Sequence, residues 1–255
     1  MDPRKNTARF YDTVIHPIND LPFYIKRIKS LKSKNVLELG CGTGRVLVPL
    51  AKYCKKIVGI DYSQEMLEIC KEKIKNEGLT NATTIQGDIS NLNLGELFDL
   101  VIAPYRVLQA LETENEVQAF FETISLHLKS SGRGILNIFK PKKSAEELRS
   151  SWHQPDEIIN QEINMKDGSR LVYAFRQHKI NKEKLILYPD MIYRRYFNNV
   201  LVEEVIHPII MRCYYPDEFK RLITNMGFSI TGSWGGYNNE EYGVGPELVI
   251  EFKKK

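Results

Sequence analysis

No stretch of this 255-residue chain approaches the ~18 consecutive apolar residues that a membrane-spanning helix needs, so no membrane partner is expected. The opening Met1-Asp2-Pro3-Arg4-Lys5 has no apolar run of the secretory-signal kind, so a cytoplasmic setting is expected. Cysteine is sparse. Cys41, Cys54, Cys70 and Cys213 form no C-x-x-C pair and no metal-finger spacing, so reduced thiols and no bound metal are expected. Charge of one sign is scarce too: 36 Lys and Arg against 32 Asp and Glu leave +4. That excess is too small to point to nucleic acid, and no basic domain or aromatic recognition motif accompanies it. Internal repeats and low-complexity segments are absent.

What is present is ordinary globular composition, 42% apolar and 27% charged, which excludes a disordered or fibrous chain. The length suits one large domain, or one domain with a sizeable insertion.

Two textures alternate along the chain. From 35 to 140, short apolar runs alternate with helical periodicity. Val36–Leu39, Ile57–Ile60, Thr83–Gln86, Leu100–Ala103 and Ile135–Phe139 read as strands. Helices are expected over 45–54, after the cap Ser63, and from Glu114 to Leu128. Alternating strands and helices mean βαβ units and a parallel sheet with right-handed crossovers. Residues 141–213 instead carry Asp167-Gly168 as a hairpin signal. Strand-like runs follow at Leu171–Ile180, Leu185–Phe197 and Val200–Tyr214, predicting an inserted antiparallel meander of three or four strands. The first texture then resumes, with a helix opened by Tyr215-Pro216-Asp217-Glu218 and closing strands at Phe228–Trp234 and Leu248–Phe252.

The sharpest motif is Glu38-Leu39-Gly40-Cys41-Gly42-Thr43-Gly44, a strand end running into a glycine-rich turn and a helix. Such a turn lets backbone approach a ligand closely. Asp61 ends the second strand, 21 residues after Gly40, where an acid can accept both ribose hydroxyls of a nucleoside. The nicotinamide fingerprint places its third glycine five positions after the first, and here the interval is four. Glu38 would also repel a pyrophosphate. A carboxylate there suits a ligand with an ammonium, a sulfonium and no phosphate, which describes S-adenosyl-L-methionine (SAM).

With Gln86-Gly87-Asp88-Ile89, Phe98–Ala110 and Leu128–Gly134, this region resembles the class I SAM-dependent methyltransferases over roughly residues 33–140 and 213–253. The resemblance implies an α/β, Rossmann-like doubly wound seven-stranded sheet of order 3-2-1-4-5-7-6, the last strand antiparallel, plus the small inserted sheet. It implies a SAM-binding part at 1–140 and 214–255, with 141–213 as a substrate lid or dimer element. Gly40, Cys41, Gly42 and Gly44 would line the methionine and ribose, Glu38 the ammonium end, and Asp61 the ribose. Tyr62 and Met66 would flank the adenine, Asp88 and Ile89 would read its edge, and Ala103 and Pro104 would face the methyl group. Tyr11, in Ala8-Arg9-Phe10-Tyr11-Asp12, is similar to a Tyr-Asp pair that folds over SAM in several small-molecule methyltransferases. Met66 serves equally well as a core residue, and Asp88 as a turn residue.

Methyl transfer from a sulfonium has a good neutral leaving group, so alignment and desolvation can suffice, and a base is needed only where the nucleophile must first lose a proton. After the fourth strand, Ala103-Pro104-Tyr105-Arg106 lacks the Asn/Asp-Pro-Pro-Tyr that suits exocyclic and amide nitrogens. Tyr105, Arg106 and Tyr11 are the candidates on the acceptor side, with Gln109 beside them. The expected activity is methyl transfer to N or O of a small molecule, with S-adenosyl-L-homocysteine as product. Two alternatives are a noncatalytic SAM-binding protein and a nicotinamide-dependent oxidoreductase, the second disfavoured by loop spacing and Glu38.

Overall fold

The computed structural model describes residues 4–14 and 18–255. The first strand, β1 (Asn35–Leu39), follows two helices, α1 (Ala8–Val14) and α2 (Leu21–Leu31). Beyond it run α3 (Leu47–Leu50), β2 (Lys56–Asp61), α4 (Gln64–Asn76), β3 (Ala82–Gln86), β4 (Phe98–Ala103), α5 (Glu114–His127) and β5 (Leu128–Phe139). The expected Ser63 cap is present, and a second cap opens α5. The Ser63 side chain accepts the Met66 N–H, and Thr113 and Glu116 form a reciprocal capping box.

The helix expected over 45–54 is shorter than its apolar pattern suggests. Val48 N–H bonds Gly44 O and Leu50 N–H bonds Val46 O, but Pro49 between them has no N–H to give. One α-turn therefore passes into a 3-10 turn, Ala51–Tyr53.

After β5 the chain leaves for α6 (Ala145–Ser151) and five antiparallel strands: β6 (Gln154–Asn164), β7 (Arg170–Asn181), β8 (Ile186–Phe197), β9 (Val200–Pro208) and β10 (Met211–Arg212). β8 pairs β7 on one side and both β9 and β10 on the other. The β8–β9 turn is Asn198-Asn199, both left-handed at φ 49° and 62°, as a two-residue hairpin of right-handed twist requires. β6 had no legible signal, because its Gln154–Asn164 is mostly exposed and carries only three isoleucines.

The chain returns through α7 (Pro216–Asn225), β11 (Phe228–Trp234) and β12 (Glu247–Lys254). The large sheet runs β3-β2-β1-β4-β5-β12-β11, parallel except for β12, which is antiparallel to both neighbours. This is the 3-2-1-4-5-7-6 order implied above.

Side chains alternate across the sheet. Leu37, Leu39, Val58, Ile60 and Val101 pack with Phe120 and Phe121 of α5 on one face. Val36, Ile57, Leu100 and Ile102 pack with Phe23, Tyr24 and Ile28 of α2 on the other. Glu38 shares the parity of Val36 and is therefore directed to the α2 face. A smaller cluster of Phe10, Val14, Leu171, Tyr173 and Tyr193 fastens α1 to the inserted sheet. Asp12 of α1 takes the Thr43 hydroxyl at 2.7 Å and the Lys73 ammonium at 2.6 Å, so α1 bridges the inserted sheet, the glycine loop and α4. No helix among the described residues is long and apolar enough to cross a membrane.

Candidate active site

The strand order reverses between β1 and β4, and ligands of open α/β sheets bind beyond the carboxyl ends of strands at such a point. Two loops meet there, 40–46 after β1 and 104–107 after β4.

The first loop folds back over β2. Gly40 and Cys41 donate to Ile60 O at 2.8 and 2.9 Å, and Gly42 donates to Asp61 Oδ2 at 2.8 Å. Asp61 Oδ1 accepts the Ser63 N–H at 2.9 Å. A carboxylate offers about four lone-pair sites, so Asp61 can tie down the loop and still accept hydroxyls. Gly40, Gly42 and Gly44 all have φ between +53° and +79°. They differ in what faces them. A Cβ at Gly44 would lie 2.5 Å from Cys70 Sγ, whereas a Cβ at Gly42 would meet nothing within 4 Å. Gly44 is small for packing, and Gly42 presents bare backbone on the open side.

Glu38 is 2% exposed, and its Oε2 has no hydrogen-bond partner. Burial is the main cause raising its carboxyl well above the usual range, with Cys70 adding to the shift and Arg45 opposing it. A buried carboxylate that lacks a donor is the complement of a cationic N–H donor. Arg45 does not fill that role, because its guanidinium is bidentate to the fully buried Asp20 at 2.7 and 2.8 Å. The Asp20–Arg45 pair has no local sequence signature.

Tyr62, next to Asp61, is 49% exposed, and Met66 is buried one helical turn later. Asp88 Oδ1 accepts the Ser90 N–H and hydroxyl at 2.8 and 2.6 Å, so the residue closes a turn beyond β3. Ile89 packs on the core cluster that includes Ala103, and Ala103 and Pro104 are buried. Cys41 is buried too.

The second loop carries backbone strain. Tyr105 and Arg106 are both left-handed, φ 59° and 69°, a conformation bulky residues seldom adopt. Three hydrogen-bonded contacts through the buried Asn137 and Glu247 hold it there. Arg106 N–H donates to Asn137 Oδ1 at 3.3 Å, the Arg106 guanidinium pairs with Glu247, and Asn137 Nδ2 donates to Glu247 Oε2 at 2.9 Å. Arg106 is thus engaged by β12 rather than open toward an acceptor. Gln109 is structural as well. Its side chain donates to Arg212 O at 2.9 Å and accepts the Phe139 N–H at 2.8 Å, linking the loop to β5 and β10.

Tyr105 itself stands where α1, the loop and the inserted sheet converge. Arg45 lies 5.5 Å from its ring centroid, and Tyr105 stands close enough to Tyr11, Tyr173 and Tyr193 to act on their phenols. Burial raises the phenols of those three tyrosines above their ordinary value, so at neutral pH they are donors and not bases.

Comparison with known proteins agrees with this geometry. Residues 36–132 match the family described as "Methyltransferase domain". A ubiquinone biosynthesis O-methyltransferase of Rickettsia felis is 28% identical over 138 residues, 52% of this chain and 54% of that protein. The chain thus spans about half the length of that curated relative. Among solved structures, a SAM-dependent methyltransferase from Clostridium acetobutylicum superposes with a TM-score of 0.77 at 20% identity, covering 98% of both chains. An amino pentose methyltransferase from Micromonospora echinaspora gives 0.72 at 16%, covering 97% of this chain and 95% of that one. Residues 36–132 therefore carry a methyltransferase domain, and the sheet order is that of the SAM-dependent methyltransferase fold.

Proposed function

We propose that this protein binds SAM at the β1 and β4 loops and transfers its methyl group to a nitrogen or oxygen of a small-molecule acceptor. The observation that carries this reading is the buried carboxyl of Glu38, its Oε2 without a partner, at the head of a glycine loop. A nicotinamide dinucleotide would bring a pyrophosphate to that carboxylate, whereas SAM brings an ammonium.

In this reading Glu38 takes the ammonium, and Gly40, Cys41, Gly42 and Gly44 run along the methionine and ribose. Asp61 accepts from the ribose while keeping its hold on Gly42. Tyr62 and Met66 flank the adenine, with Asp88 and Ile89 at its edge and Ala103 beside the methyl group. Bound SAM supplies an electrophilic methyl group on a neutral leaving thioether. Tyr11 and Tyr105 close over it and, with Tyr173 and Tyr193 of the inserted sheet, orient the acceptor by hydroxyl donation and ring contact. No step requires these phenols to ionise.

Calorimetric titration with S-adenosyl-L-homocysteine, with NADH as control, tests the reading. Binding of the first alone is expected. Binding of NADH, or of neither, overturns it. An N- and O-acceptor screen then follows on the homocysteine product.

A further inference from the structure

Glu38 is not the only unpartnered polar group on its side of the sheet. The hydroxyls of Tyr24 in α2 and Tyr237 in the β11–β12 connection are also buried without a hydrogen-bond partner. Tyr24 is fully buried, and its ring lies 6.1 Å from that of Tyr237. The two phenols couple to each other through their hydroxyls; Tyr24 also feels Asp20 and Glu38, and Tyr237 also feels Glu247 and Asp20. One buried polar layer thus gathers α2, β1 and the last hairpin.

The other carboxylates of this layer are engaged. Asp20 gives both oxygens to Arg45, and Glu247 is shared by Arg106 and Asn137. Besides Arg106 Nε, what stays unmatched is one carboxylate oxygen of Glu38, an acceptor for a cation, and a pair of phenols with a proton to donate to an anion. Phe23 packs edge-on against Tyr24, Tyr237 and Trp234 at 5.6, 5.7 and 5.2 Å. Phenylalanine would fill either tyrosine position in that apolar surround without burying an unpaired hydroxyl. Packing alone therefore does not require the hydroxyls, and a phenol pair that donates within itself still has one proton free to donate outward.

The complementary ligand group is a zwitterionic α-amino acid. We infer that Tyr24 and Tyr237 recognise the α-amino acid end of the cofactor, their hydroxyls donating to its carboxylate while Glu38 takes its ammonium. This deepens the SAM-binding reading and rests on it.

The test uses two ligands that differ only at that end. S-adenosyl-L-homocysteine carries the amino acid, and 5′-methylthioadenosine replaces it with a methyl group. Each is titrated calorimetrically into the full chain as wild type, Tyr24→Phe and Tyr237→Phe. Each variant is expected to bind S-adenosyl-L-homocysteine roughly tenfold more weakly and methylthioadenosine within about twofold of wild type. Unchanged S-adenosyl-L-homocysteine affinity in both variants overturns the inference. Equal weakening of both ligands overturns it too, because the hydroxyls would then support the pocket rather than read the amino acid. If the wild type binds neither ligand, the SAM reading itself falls. Thermal melts identify a variant that fails to fold, and the other variant then decides.

Discussion

The Asp61 carboxylate accepts the backbone N–H of Gly42 at 2.8 Å, joining the end of β2 to the middle of the glycine loop. The proposed ribose acceptor is therefore also a tie on the backbone of the loop. Asp61→Ala removes both roles. A hydrogen bond to a charged group is worth ~1.5–3 kcal/mol, so S-adenosyl-L-homocysteine affinity should fall by at least about tenfold. The melting temperature should fall by a few degrees as the loop loses its tie. Calorimetry and thermal melting read the two effects separately, and unchanged affinity removes Asp61 from the site.

Gly42 and Gly44 should part company under the same substitution. Gly44→Ala drives a methyl group into Cys70 Sγ and the Val48 side chain, at 2.5 and 2.9 Å, beneath the loop. With left-handed strain added, a loss of roughly 2 kcal/mol or more in stability is expected. Gly42→Ala meets no atom and bears only the strain, about 1 kcal/mol. Its methyl group would stand in the ligand's space, so affinity should suffer more than stability. Denaturant melts paired with S-adenosyl-L-homocysteine titrations test this, and equal destabilisation by the two variants contradicts it.

How far these features were legible in the sequence follows the range of the interactions behind them. The parallel sheet was legible because strands buried on both faces write continuous apolar runs such as Leu100–Ala103. Glu38, the glycine loop and Asp61 were legible because one βαβ unit writes them at fixed spacing. The clamp on Arg106 was not, since Glu247 lies 141 residues away and Asn137 lies 31. Nor was the left-handed Tyr105–Arg106 pair, because that backbone usually announces itself as glycine or asparagine. Tyr24 and Tyr237 look like ordinary core aromatics until the fold sets their rings 6.1 Å apart with buried, unpartnered hydroxyls.

The Arg106 clamp makes its own prediction. Glu247→Leu leaves a largely buried guanidinium without its carboxylate and Asn137 Nδ2 without its acceptor. Breaking a buried pair from one side costs ~3–5 kcal/mol, and here less, because a third of the Arg106 side chain is exposed. A loss of about 2 kcal/mol is expected in a denaturant melt. Arg106→Met with Glu247→Leu should recover part of it, since the unpaired charge is gone. No recovery in the double variant would mean that the pair does not act as a unit.

Glu38 gives the site a pH signature whose sign is fixed. In the free protein, burial raises its carboxyl above the usual range, so the folded chain keeps a proton that the unfolded chain has released. Stability of the free protein should therefore fall as pH rises from the ordinary carboxylate range through the raised folded value. An ammonium placed against Glu38 favours the ionised form and lowers that value again. Binding of S-adenosyl-L-homocysteine should then release a proton over the same window, and affinity should rise with pH across it. Titrations in two buffers of different ionisation enthalpy measure the released proton directly. Glu38→Gln has nothing to release, so its binding enthalpy should depend less on buffer, its affinity should be at least about tenfold weaker, and its melting temperature should vary less with pH. Proton release that persists undiminished in Glu38→Gln would assign the linkage to another group.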